Sequence, residues 1–332
     1  MSDATASSTT IGHTRARRLP THWLGVAPFF LFALLFLILP TSYLVLGAFQ
    51  TKTGEFTLAN VLEVLQPRAV GSYLVCSAAQ WFSVEAWSDW WWGRAPVLCS
   101  LPSIPAAYWI SIRISFASAA LGALAGFFIA LAIVRGNLPG WVRSATMTFS
   151  GVASNFAGVP LAFAFLATLG RIGLATWFLR TYLGIDIYAA GFNILSFWGL
   201  TLTYLFFQIP LMVVIIVPAI EGLKREWGEA ASTLGATNSQ YWRWVALPVL
   251  WPSLLGTMLL LFANAFGAIA TAYALTGSSL NIVPILLYAQ MRGDVLNDPH
   301  LGYALAFGMI VVTGLAILPY LWLRARADRW LK

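Results

Sequence analysis

Apolar residues gather into six long runs separated by polar stretches, at 22–49, 107–134, 145–169, 193–219, 249–275 and 301–323. A helix needs about 20 predominantly apolar residues to cross a hydrocarbon core of about 30 Å, and each run meets that length. The pattern predicts an all-α polytopic membrane protein with six transmembrane helices. Pro40 should loosen the first span, and Gly151 and Pro160 should break the third. In the fifth, Gly267, Ala270 and Ala274 permit close helix approach.

The polar stretches set the orientation. Arg15, Arg17, Arg18, Arg135, Arg143, Lys224, Arg225, Arg243, Arg324, Arg326, Arg329 and Lys332 all fall on one side of a six-span topology, whereas Arg171 and Arg180 run against the bias. The positive-inside rule therefore predicts cytoplasmic N- and C-termini, a cytoplasmic loop at 221–248 and an extracytoplasmic segment at 50–106. Residues 1–21, rich in Ser, Thr and Ala, read as a disordered cytoplasmic tail. The apolar run that follows is too long for a signal peptide and lacks a clean small-residue cleavage pattern, so it is expected to be a true span.

The outer segment holds Cys76 and Cys99, the only two cysteines, around Trp81, Trp87, Trp90, Trp91 and Trp92. A disulfide between them would contribute about 2–4 kcal/mol if unstrained; two free buried thiols are the alternative. The tryptophans suit a lid or an interfacial belt, or an insertion that packs only on itself.

Composition agrees with the pattern: 59% of the 332 residues are hydrophobic and only 9% charged. The net charge of +7 is dispersed beside apolar spans, which is not a nucleic-acid footprint. His13, His22 and His300 are scattered, no acidic pair shares a span, and no phosphate-binding Gly-x-x-x-x-Gly-Lys-Ser/Thr loop occurs. Catalytic, cofactor-binding and metal-binding residues are therefore not expected in this chain.

Polar groups inside spans are the candidates for a translocation path, because facing lipid is costly. They are Asn155, Tyr204, Gln208, Asn264, Thr271 and Tyr273. Each has the alternative of bonding between helices without meeting solute.

The loop at 221–248 carries the most specific pattern. Glu229, Ala230 and Ala231 are followed by Gly235, then by Val245, Leu247 and Pro248. A helix, a turn at Gly235 and a second amphipathic helix are expected, with Pro248 in the first turn of the fifth span. Glu229 is expected near its helix start, able to accept donors from the helix end or a partner, and Thr237 lies outside the pattern.

These residues and spacings resemble the cytoplasmic signature loop of the inner-membrane permease subunits of bacterial ABC importers, and the resemblance extends from the first span to the C-terminus apart from the Cys- and Trp-containing insertion. It implies a type I permease fold and a non-enzymatic subunit that pairs with a second permease, as a homodimer or heterodimer, around a solute path. It also implies two cytoplasmic ATPase subunits that use ATP and magnesium, an extracytoplasmic solute-binding protein, and coupling through Glu229, Ala230, Ala231, Gly235, Val245, Leu247 and Pro248. Residues 262–277 and 293–304 look most like permeases of the spermidine/putrescine group, whose relatives include carriers of iron, thiamine and phosphonates. No carboxylate is clearly buried in a span, so a polyamine would find no obvious counter-charge. A secondary transporter would call for buried ionisable groups and related halves, and a channel gives no reason for the loop.

Overall fold

The computed structural model describes residues 22–51, 53–66, 103–136, 138–292 and 299–330. Cys76, Cys99, the tryptophan cluster and the N-terminal tail lie outside them. Within them the protein is all-α, with one isolated antiparallel bridge between Gln50 and Phe56. Six helical stretches are long and apolar enough to span a membrane: Val26–Ala48, Ser103–Arg135, Val159–Tyr182, Phe197–Glu221, Asn238–Phe266 and Pro299–Ala325.

The first span is α1 (His22–Ala33), a π-helical turn (Leu34–Ile38) and α2 (Leu39–Ala48). Pro40 has no N–H, and the chain absorbs this by widening the preceding turn, where the Leu39 N–H reaches back to the Leu34 carbonyl. After it comes α3 (Ala59–Leu65), held back against the span by Asn60 Nδ2, which donates to the Gln50 carbonyl at 2.9 Å.

The bundle is built on two helices, α4 (Ser103–Arg135) and α8 (Phe197–Glu221). Some 61% of the most apolar stretch of α8 is buried, against 33% for α4 and none for the first span, which makes α8 the central post. Its buried face, at Gln208, Met212, Val213 and Ile216, meets a line of small residues on α4: Ala119, Gly122, Gly126 and Ala130. In lipid there is no hydrophobic gain from bringing apolar helices together, so close packing through small residues has to supply the attraction. At Gly126 an added Cβ would lie 2.6 Å from Met212 Cβ and 2.8 Å from the Ile209 carbonyl oxygen.

Two of the apolar runs are broken: the third directly before Pro160, as expected, though not at Gly151, and the fifth at Gly267. The third run folds as α5 (Gly140–Ala153) and α6 (Val159–Leu169), and it is α6 with α7 (Leu174–Tyr182) that makes up the spanning stretch. Gly151 stays helical; the chain departs from helix at 154–158, where Gly158 takes φ +82° and Pro160 fits the first turn of α6. The fifth run folds as α11 (Leu247–Phe266) and α12 (Ile269–Thr276), separated at Gly267 and Ala268, where the spanning stretch ends. The remaining helices are α13 (Val283–Arg292) and α14 (Pro299–Trp330), the latter packed along α11 and α2.

Candidate functional site

Between α8 and α11 the chain forms α9 (Arg225–Thr233), a turn, α10 (Asn238–Tyr241) and a π-helical turn (Trp242–Ala246) that runs directly into α11. The interval from Ala231 to Gly235 has a hydrogen-bonding explanation. The Ala236 N–H donates to the Ala231 carbonyl at 2.9 Å, and the Gly235 N–H to the Ser232 carbonyl at 3.0 Å. This is a Schellman closure of α9, and it requires a left-handed residue one step past the cap; Gly235 supplies it at φ +78°. An added Cβ at Gly235 would meet nothing within 4 Å, so the constraint is backbone conformation and not space. Gly235→Val is therefore expected to cost about 1–2 kcal/mol locally and to lower transport, while Gly235→Asn, which tolerates this conformation, stays close to wild type. Measured in vesicles and normalised to inserted protein, equal loss in both would point to crowding instead.

Thr237 opens α10. Its side chain accepts from the Gln240 N–H while Gln240 Oε1 accepts from the Thr237 N–H at 2.7 Å, a reciprocal capping box. Although outside the signature positions, Thr237 helps to build the segment through this capping box.

α9 presents two faces. Trp227 and Ala231 are half-buried and pack onto a cluster that includes Ile220, Leu223 and Tyr241. Glu229 and Ala230 are exposed, and Leu234 is 87% exposed. The two alanines therefore differ: Ala231 seats the helix on the bundle, and Ala230 belongs to the free face. Glu229 lies mid-helix, not at the start, where Glu226 stands instead; its carboxylate pairs with Arg225 Nε at 3.2 Å. Val245 is half-buried in the π-helical turn. Pro248 stands in the first turn of α11, as expected, and the π-helical turn before it leads in without a gap, so that Asn238–Phe266 is one continuous helical run. The turn before Pro248 widens as it does before Pro40, with the Leu247 N–H donating to the Trp242 carbonyl, and Leu247 and Pro248 are both exposed.

The six intramembrane polar residues divide evenly. Tyr204, Gln208 and Thr271 are 2%, 0% and 1% exposed and act as braces inside the subunit. Tyr204 Oη donates to the Ala268 carbonyl at 2.8 Å, fixing the break between α11 and α12. Gln208 Nε2 donates to the Leu261 carbonyl at 2.8 Å, tying α8 to α11. Thr271 Oγ1 accepts the Gly158 N–H at 2.7 Å and so joins the break in the third span to the short helix after the break in the fifth. Asn155, Asn264 and Tyr273 are exposed. Asn264, Gly267, Ala270 and Tyr273 form an exposed line at intervals of three along the fifth span, and Ala270 Cβ would sit 3.7 Å from a Cβ built on Gly158. Sequence reasoning missed Gly158 and Ala268, which act through their backbones; Gly158 two residues before Pro160 was the available signal. Among the described residues no cluster of His, Cys, Asp or Glu could hold a metal ion.

Comparison with known proteins agrees with this architecture. Over 233 residues the chain is 28% identical to the molybdenum transport system permease protein ModB of Mycobacterium tuberculosis, covering 68% of this chain and 82% of that one. It is 24% identical over 257 residues to the sulfate transport system permease protein CysT of Salmonella typhimurium, covering 76% and 84%. With the spermidine/putrescine transport system permease protein PotC of Haemophilus influenzae it shares 25% over 228 residues, covering 69% and 79%. Its fold matches a chain of a bacterial ABC transporter that imports the acidic polysaccharide alginate, with TM-score 0.60 and 16% identity over 94% of this chain and 96% of that one. The model of the binding-protein-dependent transport system inner membrane component family matches residues 122–332, from the middle of α4 through the 221–248 loop to the C-terminus. The chain belongs to this family of ABC importer permeases, and its role is to form a transmembrane path without catalysing a reaction.

Proposed function

We propose that this permease carries a small oxyanion, of the molybdate or sulfate type. The observation that carries the reading is the exposed line through Asn264, Gly267, Ala270 and Tyr273, beside which α6 begins the third spanning stretch and α12 begins just past the end of the fifth. Helix starts present N–H groups without partners in the helix and the positive end of the helix dipole, which favours an anion over a polyamine. Asn155, Asn264 and Tyr273 add neutral polar groups. The molybdenum and sulfate permeases among the relatives support the same class.

A path enclosed by two permeases is lined by residues that are exposed in one. On that ground Asn155, Asn264 and Tyr273 remain path residues, and Tyr204, Gln208 and Thr271 support them from behind. The end bearing Arg135, Arg143, Lys224, Arg225 and Arg243 is cytoplasmic in this reading, with the outer face of α9 docked on an ATPase that uses ATP and magnesium. An extracytoplasmic binding protein delivers the solute at the opposite end.

A cationic solute such as spermidine is the second reading. Its support is the PotC relative and the exposed Tyr273 ring, whose face suits a cation, whereas the neighbouring Tyr288 ring already carries Arg292 at 5.4 Å. Equilibrium binding of the cognate solute-binding protein to molybdate, sulfate, a phosphonate, ferric iron, thiamine, spermidine and putrescine separates the two. Tight oxyanion binding without polyamine binding is expected; the reverse result overturns the oxyanion reading and leaves the permease assignment standing.

A further inference from the structure

We propose that Arg135 and Arg143, which flank the short turn between α4 and α5, grip the 221–248 segment from two sides and carry its movement into the broken third span. Arg135 is the last residue of α4, and its guanidinium carbon lies 5.5 Å from the centre of the Trp242 ring, in the π-helical turn of the segment. Arg143, in the first turn of α5, is ion-paired through its guanidinium with Glu221, the last residue of α8 and the start of the same segment. One contact is a cation on an aromatic face and the other a charge pair, and they engage opposite ends of the segment.

Between these two contacts the packing is apolar and continuous. Ile133 of α4 belongs to the same buried cluster as Ile220, Leu223, Tyr241 and Ala246, with Met147 of α5 and Trp227 of α9 against it. The segment is thus seated on α4 and α5 as well as on its own neighbours in sequence, α8 and α11. From Gly140 to Ala153, α5 is an unbroken rod of 14 residues. At about 1.5 Å per residue it runs about 15 Å from the Arg143 ion pair to its end at Ala153, beside the break at which the Gly158 N–H is held by Thr271. A displacement of the segment therefore has a direct mechanical route to the exposed line on the fifth span.

The two arginines are positioning residues, and their value is in transmission. The Arg143 and Glu221 side chains are 49% and 39% exposed, and a pair so open to solvent contributes little to folding. Loss of either contact leaves the fold in place and loosens the joint.

This inference rests on the coupling reading of the segment, and the experiment separates their failures. Arg143→Glu, Glu221→Arg and the double reversal, with Arg135→Gln and Arg135→Lys, are placed in the full complex with ATPase and binding protein in lipid vesicles. Readouts are ATPase retained on purification and solute moved per ATP hydrolysed, using the solute the binding protein selects. Each single reversal is expected to retain the ATPase but lower the transport ratio about 5-fold or more, a coupling effect of ordinary size. The double reversal should recover to within about 2-fold of wild type. Arg135→Lys should keep most of the ratio that Arg135→Gln loses. Unchanged ratios in the single variants, or a double reversal no better than the worse single, overturn the joint. Ala230→Trp, on the outer face and touching neither arginine, reports separately on docking: if it retains both ATPase and transport, it is the coupling reading that fails.

Discussion

Ala230→Trp removes transport while leaving an inserted, folded subunit in the membrane. Ala230 is exposed on the face of α9 that carries Glu229 and leads to Leu234, and a tryptophan there meets nothing inside the subunit. Any partner fitted to that face must lose its contact. At a well-packed interface such a loss costs about 2–4 kcal/mol, enough to lower complex formation about 30- to 1,000-fold. Ala231→Trp is expected to fail differently, because Ala231 faces the cluster around Tyr241 and Leu223 and the indole would unseat α9 from the bundle. Glu229→Gln should be mild, since its pair with Arg225 is an exposed i,i+4 pair worth about 0.3–0.5 kcal/mol. ATPase co-purification and solute-stimulated hydrolysis in vesicles, normalised to inserted permease, measure all three. Near-normal coupled transport by Ala230→Trp would show that this face docks nothing.

Gly126→Val is expected to prevent the bundle from assembling. The added Cβ would be 2.6 Å from Met212 Cβ, on the central post, and 2.8 Å from the Ile209 carbonyl oxygen; backbone cannot rotate away as a side-chain tip can. Overpacking of this kind typically costs about 1–3 kcal/mol, and here it also separates the two helices on which the rest packs. Gly140→Val is the control, because a Cβ there meets nothing within 4 Å. The yield of monodisperse detergent-solubilised protein and the midpoint of its thermal aggregation should collapse for Gly126→Val and hold for Gly140→Val. Equal behaviour of the two variants would mean that the α4–α8 contact does not govern assembly.

The spans were legible in the sequence because length and apolarity decide them, and no tertiary contact is needed to see a run such as 193–219. The breaks were legible only in kind. A glycine inside a helix costs about 1 kcal/mol and is tolerated, as Gly151 is. Which glycine leaves the helix had a local pointer in Pro160, two residues past Gly158, and the departure is held by Thr271, 113 residues away, whose hydroxyl accepts the Gly158 N–H. The same distance defeats a sequence reading of the polar residues. Gln208 and Asn264 carry similar side-chain amides in similar apolar surroundings, yet one is wholly buried between α8 and α11 and the other is exposed. Burial is a property of neighbours the local pattern does not contain. The capping box was different: Thr237 and Gln240, three apart, stood in the sequence with a known mechanism, and their contribution follows from local chemistry alone.

The widened turn before Pro248 sets the phase of everything upstream of it. An α-helix advances 100° per residue, so a turn that holds one extra residue rotates all that precedes it by about that much relative to α11. The helical run from Asn238 to Phe266 is continuous, and this offset is passed rigidly to the capped turn at Thr237 and on to α9. Which side of α9 faces away from the bundle is therefore settled partly by counting. Were one residue of the Trp242–Ala246 turn lost and the turn to close to α-helical width, every signature side chain would survive, and together they would point about a quarter-turn away.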